Sequence, residues 1–460
     1  MGYRGHFTDE TLPEPMTTRQ SFYHARGKID LPLLISIAGA GAIAILLGVY
    51  LGMHRHFPYQ WVKDSETALQ ALTDSSLHLS SRVLTDLWGP AWTEQRGVTV
   101  HDPDKVYQGY TLYTSGHAQK AFLIDMDGNT VHEWSLPFSK VDLEGIHSDA
   151  KPENTYFRDV YLYPNGDLLA IYVAYGITPW GMGMVKIDRD SNLIWKFLEP
   201  CHHDISVGED GRIYALTHRI TNQLPKAFDQ VVTPVINDAV VVLSADGKKL
   251  DELPILQALA DSDLQGFIEE INEKRRFAKG DILHTNTIEV LPQAIADRFP
   301  FARAGQVVVS FRGRHVIATL DLETRKMSWA RRGPWVRQHD PDFLPDGHML
   351  LFDNQGWLGE GGRSRVLEFD PVTDEIVWQY TGDREHPMYS EGRGRQERLP
   401  NGNTLITDSG RGHLVEVSPA GEMVWEFVNP IRETYDGKSY IPIVSGGYRF
   451  AAEDLPFLNP

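Results

Sequence analysis

The sequence predicts an all-β protein, a six-bladed β-propeller preceded by one N-terminal transmembrane helix. Three observations carry this: a recurring pair of turn signatures, short β-rich runs broken by Gly, Asp, Asn and Pro from about residue 100 onward, and one long uncharged apolar run near the N-terminus. One signature is an Asn-Gly or Asp-Gly turn, preceded by Pro in three of four copies and followed by an apolar strand, as in YLYPNGDLLAIYV, ISVGEDGRIYAL, DFLPDGHMLLFD and ERLPNGNTLITD, with a looser copy in IEVLPQAIADRFPFARAGQVVVSF. The other is a turn followed by a strand that tends to end in Trp: LIDMDGNTVHEW, KIDRDSNLIWKF, VLSADGKKLDEL, TLDLETRKMSWA, EFDPVTDEIVWQY and EVSPAGEMVWEF. These six copies imply six units, each of two hairpins, with the spacing of propeller blades.

Taken in chain order, residues 1–30 form a polar leader that precedes Leu31–Met53, which is 23 residues without a charge. At about 1.5 Å per residue such a helix crosses a hydrocarbon layer of about 30 Å. The run is too long for the apolar region of a cleaved signal peptide. Arg4, Arg19, Arg26 and Lys28 before it outnumber Arg55 and Lys63 after it, which places the N-terminus in the cytoplasm. A single-pass protein of the inner membrane, with its propeller in the periplasm or outside the cell, is expected. Residues 54–97 read as a juxtamembrane helical linker, 98–430 as the propeller with a charged amphipathic helical insert at 252–280, and 431–460 as a closing segment.

The formal charge of −18, from 44 basic and 62 acidic residues, opposes nucleic-acid binding, which needs a basic surface. With 42% hydrophobic residues the chain can bury a core. Its single cysteine, Cys201, allows no internal disulfide. Oligomeric state is left open.

Counting back eight residues from the turn glycines aligns the starts of the first strands at Arg158, His203 and His339, and at Gly394, which lies between Arg393 and Arg395. His284 lies two residues further upstream, on the same strand face as Asn286. First strands line a propeller's central channel, so these residues converge on one axial funnel. Trp180, Trp335 and Trp357 fall in loops near strand ends, where an aromatic ligand could stack; the tryptophans that close the units fit packing between blades.

The stretches GYTLYTSGHAQKAFLIDMDGNTVHEW, HHDI (202–205), HTNTIEVLP (284–292), SFR (310–312), QHDPDFLPDG with FDN (338–354) and LPNGNTLITDSGRGHLVEVSPAGEMVWEF occur in an order that resembles the bacterial arylsulfotransferases, from about His101 to Pro430. The resemblance implies a six-bladed propeller that transfers a sulfuryl group from an aryl sulfate ester to a phenol without a nucleotide donor. No GxxxxGK[ST] phosphate loop is present, in keeping with this. It further implies that His339 is a nucleophile that becomes transiently sulfurylated, with His203 or its neighbour His202, His284 and Arg312 holding the sulfuryl oxygens and handling the phenol proton. Arg158, Asn286, Arg395 and Trp357 are the expected substrate-binding neighbours.

The chemistry stands without the resemblance. A neutral imidazole can attack sulfur, an arginine fork can hold oxyanions, and a second imidazole can move the phenol proton near neutral pH. No cofactor is expected. A metal site built from His202, His203, His284 and His339 with Asp204 or Asp340 is disfavoured, because adjacent histidines diverge on a strand and nearby arginines repel a cation. The competing expectation from another class is a catalytically silent, membrane-anchored propeller used for binding or scaffolding.

Overall fold

The computed structural model describes residues 82–147, 150–178, 180–359 and 361–458. The expected leader, membrane span and most of the linker lie outside these residues. Among the described residues no helix is long and apolar enough to cross a membrane.

The described residues form six antiparallel sheets of four or five strands and one small three-stranded sheet. Each large sheet begins with an inner strand: β1 (Thr155–Leu162), β2 (Cys201–Val207), β3 (Thr285–Val290), β4 (His339–Phe343), β5 (Arg395–Arg398) and β6 (Val444–Phe450). Within the first four sheets the strands follow in sequence order, each joined to the next by a hairpin. The inner strands touch in a cycle, β1 to β2 and onward to β6 and back to β1, which gives a propeller-like arrangement.

Sequence near the two ends of the described chain completes this ring. β6 pairs with Tyr110–Ser115, more than 300 residues earlier, and supplies the inner strand of the sheet that continues through Lys120–Ile124 and Thr130–Ser135. The strand Gly97–His101 adds to the outer edge of the sheet begun by β5. The sheet system therefore runs past residue 430. Residues 252–280 contain two short helices, α1 (Ile255–Ala260) and α2 (Gln265–Lys274), and α1 turns Ile255, Leu256, Ala258 and Leu259 into the core.

Alternating side chains of neighbouring sheets interdigitate to form the core. Leu112, Leu123 and Trp134 of one sheet pack with Phe157, Leu168 and Tyr172 of the next, and equivalent clusters fill the other junctions. Full burial of each such leucine or phenylalanine stabilises the fold by about 1.5–3 kcal/mol. The closing tryptophans also bridge sheets: the Nε1–H groups of Trp134, Trp195, Trp378 and Trp425 donate to carbonyls of Gly166, Ala245, Pro419 and Met126, each in a turn of the adjacent sheet.

Around the axis, side chains of one inner strand accept backbone N–H groups of the next. Asp159 takes the Ile205 N–H (3.0 Å), Asp204 that of Ile288 (2.9 Å), the Thr287 hydroxyl that of Asp340 (2.9 Å), Asp340 that of Gln396 (3.2 Å) and Glu397 that of Arg449 (2.9 Å). The Tyr448 hydroxyl donates to Asp159 and closes the circle. Inner edges, which have only one strand partner, are thereby satisfied without an additional strand.

Candidate active site

Five of the six inner strands carry a register shift at the same height, spanning Arg158 in β1, His203–Asp204 in β2, Asn286–Thr287 in β3, Asp340–Pro341 in β4 and Ser445 in β6. An extra residue in one strand re-aims its side chain, here toward the axis. His203 and Asp340 adopt positive φ angles of 62° and 54°, and His284, just before β3, has 54°; non-glycine residues adopt such angles at a cost. At the entry of β5 the residue is Gly394, with φ 146°, where a Cβ would run into the Phe352 ring.

These positions enclose an axial cavity lined by Arg158, His203, Asn286, His339, Arg395 and Ser445 together with the latch residues Asp159, Asp204, Thr287 and Asp340. His339 is 1% exposed. Its Nδ1 lies 2.7 Å from Asn354 Oδ1 and 3.1 Å from the Arg337 carbonyl, both acceptors, so Nδ1 carries the hydrogen. Asn354 is itself fixed, since its Nδ2 donates to the Ser390 and Arg393 carbonyls at 2.7 and 2.6 Å. His339 Nε2 is left as a buried lone pair with no hydrogen-bond partner among the described residues. Burial, and then the charges of Arg312 and Arg158, hold this imidazole well below its ordinary pKa, so it is neutral at physiological pH.

Two further histidines adjoin it. His203 packs edge-on to His284 with ring centroids 5.3 Å apart, and burial followed by the neighbouring His202 pushes its pKa well down. His284 Nδ1 is 2.5 Å from Asp281 Oδ2, and its backbone N–H reaches Asp281 Oδ1 at 3.0 Å. Burial works to raise Asp281, but its hydrogen bonds to His284 hold the carboxyl below the usual range. This is an oriented imidazole–carboxylate pair.

Arg312 follows the strand Val307–Phe311, and its backbone N–H donates to the His284 carbonyl (3.2 Å). Burial, with Arg337 adding repulsion, lowers its guanidinium to about 10, so it stays cationic; its Nε is buried with no hydrogen-bond partner among the described residues. Arg158 is turned to the Ser445 carbonyl and hydroxyl (3.1 and 3.0 Å), and Asn286 donates to the Gln338 carbonyl (2.9 Å).

Other expected site residues sit differently. Arg395 lines the cavity, but its Nη1 is 3.3 Å from Asp204 and 3.1 Å from Asp340, and its guanidinium covers the Tyr448 ring. It balances axial carboxylates. His202 is fully buried behind His203, stacked on His218, and Trp357 lies beneath the Arg365 guanidinium; neither belongs to the cavity wall. Trp335 is 2% exposed and packed on Phe369. Trp180 is wedged among His202, His203, His218 and His284. Sequence reasoning passed over Asn354, although it ends the FDN motif, and Asp281, whose only sequence signal is its place three residues before His284.

A ring of antiparallel sheets with a neutral imidazole and arginines at its axis marks a class of protein, enzymes of propeller-like fold. The family model of arylsulfotransferases (ASST) matches residues 159–430, and the chain belongs to that family, whose reaction is sulfuryl transfer. No curated protein matches the chain. Similar solved structures include a protein of unknown function from Bacteroides caccae (13% identity, TM-score 0.45, covering 73% of this chain and 99% of that one). A streptogramin B lyase (11%, 0.38, 78% and 97%) and the WD40 β-propeller domain of Doa1 (9%, 0.35, 67% and 73%) are also similar.

Proposed function

We propose that this enzyme transfers a sulfuryl group from an aryl sulfate ester to a phenol through a sulfurylated His339, at the axis of a six-bladed propeller. The observation that carries the proposal is the His339 ring. Its Nδ1–H is committed to Asn354, and its Nε2 lone pair, the end that must attack, is buried without a partner among the described residues.

In the first half-reaction Nε2 attacks sulfur, the aryl S–O bond breaks and a phenolate departs. Arg312 and Arg158, whose charges both act on His339, supply positive charge to the sulfuryl oxygens, and Asn286 lines the cavity with Arg158. His203 and His284 supply and later recover the phenol proton, with Asp281 orienting His284. In the second half-reaction an acceptor phenol loses its proton and takes the sulfuryl group, which frees His339. The uncharged run Leu31–Met53 supports a membrane-anchored enzyme, and the excess of basic residues before the run supports a propeller outside the cytoplasm.

The test is transfer from 4-nitrophenyl sulfate to phenol by the full chain, with mass spectrometry of the enzyme quenched without acceptor. The expected result is one added sulfuryl group on the peptide containing His339, and loss of both the adduct and turnover in His339→Asn. Turnover that survives in His339→Asn would sink the proposal.

A further inference from the structure

Behind His203 lies a second layer of polar groups that the sulfuryl-transfer steps leave unused. The Gly181 N–H donates to His218 Nε2 (3.1 Å), so His218 carries its own hydrogen on Nδ1. Only glycine allows that approach, because a Cβ at 181 would collide with the Pro200 and Cys201 carbonyls. His202 stacks on His218, with centroids 4.2 Å apart, and its Nδ1 meets His203 Nδ1 at 2.7 Å. One of those two nitrogens must hold a hydrogen while the other accepts it.

His202 Nε2 lies 3.7 Å from Asp238 Oδ1, a span that a small ring rotation closes. His202, His218 and Asp238 are 0%, 2% and 3% exposed, and their facing atoms lie within 4.8 Å of one another. Neither His202 Nε2 nor His218 Nδ1 has a hydrogen-bond partner among the described residues. Asp238 accepts the Thr285 N–H (3.0 Å), which ties the cluster to the start of β3.

Two imidazoles and a carboxylate could suggest a divalent cation. However, the nitrogen that His218 turns inward bears a hydrogen, and stacked rings project their nitrogens side by side rather than at a common point. A chain of alternating donors and acceptors that ends in a carboxyl group suits proton movement instead.

We propose that His203, His202 and Asp238 form a proton relay, with His218 as its positioning residue, and that Asp238 stores the proton between the two half-reactions. This rests on the sulfuryl-relay reading of the site. As the His339 Nε2–S bond forms and the aryl S–O bond breaks, the departing phenolate takes the hydrogen of His203 Nε2. His203 Nδ1 takes the hydrogen of His202 Nδ1, and His202 Nε2 takes the carboxyl hydrogen of Asp238. Each ring stays neutral and exchanges one tautomer for the other, and Asp238 ends as the carboxylate. The acceptor phenol gives its proton to His203 Nε2 and drives every shift back. Neutral rings suit the place, since burial and the adjacent His284 push His202 down to about 3, while burial raises Asp238 to about 7. The charged and titratable groups around the relay are Asp281, His284, Arg158 and His339.

The experiment compares turnover of phenyl sulfate and 4-nitrophenyl sulfate by the full chain. Nitrophenolate leaves without a proton, whereas phenolate needs one. Asp238→Asn keeps an acceptor for Thr285 but cannot yield a carboxyl proton, and His202→Gln keeps a polar side chain. Each should lower the phenyl-to-nitrophenyl turnover ratio by about tenfold or more. Nitrophenyl turnover reports in the same assay that the site is folded. An unchanged ratio in both variants, with His203→Asn alone lowering it, would overturn the relay and leave the sulfuryl transfer standing. Nitrophenyl turnover that persists in His339→Asn would instead overturn the reading on which the relay rests.

Discussion

His339 and Asn354 are joined by a 2.7 Å hydrogen bond whose direction is fixed from outside the pair. Because both Asn354 N–H groups are taken by the Ser390 and Arg393 carbonyls, its oxygen must face His339, and the imidazole hydrogen must sit on Nδ1. Three contacts across two sheets thus decide which nitrogen faces the cavity.

Replacing Asn354 tests that dependence. Asn354→Leu removes the closer of the two Nδ1 acceptors and leaves only the 3.1 Å contact to the Arg337 carbonyl, so the hydrogen is held on Nδ1 more weakly and the tautomer with a free Nε2 lone pair is depleted. By analogy with other imidazoles forced into the wrong tautomer, kcat should fall by about 10²–10⁴-fold with little change in KM. Asn354→Asp, which keeps the acceptor, should retain much more activity than Asn354→Leu. Equal losses would show that Asn354 acts only in packing.

Arg312 should leave its mark on the pH profile. His339 is held well below its ordinary pKa first by burial and then by Arg312. Its protonation removes activity only as pH falls through that lowered value, so kcat/KM should not drop at the ordinary histidine value near 6.5. Arg312→Gln removes a repelling charge, so the acid limb should move to higher pH while the plateau falls by about 10²–10³-fold through loss of oxyanion stabilisation. A plateau loss without movement of the limb would separate Arg312 from His339.

Asp281→Asn tests the His284 pair. The carboxylate holds the His284 ring and fixes which nitrogen faces the phenol, so the variant should lose about 10–100-fold in kcat for donors with weakly acidic phenols. Donors with acidic phenols should be less affected. Steady-state kinetics across a series of aryl sulfates reads the difference as a steeper dependence on leaving-group acidity.

How far the molecule could be read from its sequence follows from the range of each interaction. Hairpin turns and alternating strands are local, so the recurring pair of turn signatures and the all-β character were visible in the sequence. β6 was not, since its partner Tyr110–Ser115 lies more than 300 residues away and no local signal marks that pairing. His203 and His339 stood out as aligned strand starts, and His284 as a histidine two residues upstream of that position. Which of His202 and His203 faces the axis depends on the shift in β2, which alternation alone cannot reveal. Asn354 and Asp281 matter through a tautomer and a ring orientation, properties of the assembled site. The pairing of Arg395 with Asp204 and Asp340 could not be read locally, because those carboxylates come from other sheets.

A last prediction concerns stability away from the cavity. His413 lies between Glu426 (Nδ1 to Oε1, 3.0 Å) and Asp408 (Nε2 to Oδ2, 3.3 Å). Burial alone would lower its pKa, but hydrogen bonds to the two carboxylates raise it above 6.5. A group raised in the folded state binds its proton more tightly there than in the unfolded chain. Its stabilisation is therefore complete below about pH 6.5 and is lost as pH rises through the folded value. Glu426 also accepts the Thr99 hydroxyl (2.5 Å), so the same cluster fastens the edge strand Gly97–His101. Chemical denaturation from pH 6 to 9 should show wild-type stability falling by on the order of 1 kcal/mol more than that of His413→Gln, which has no proton to lose. Parallel pH dependences in the two proteins would mean that the charge on His413 does not hold the strand.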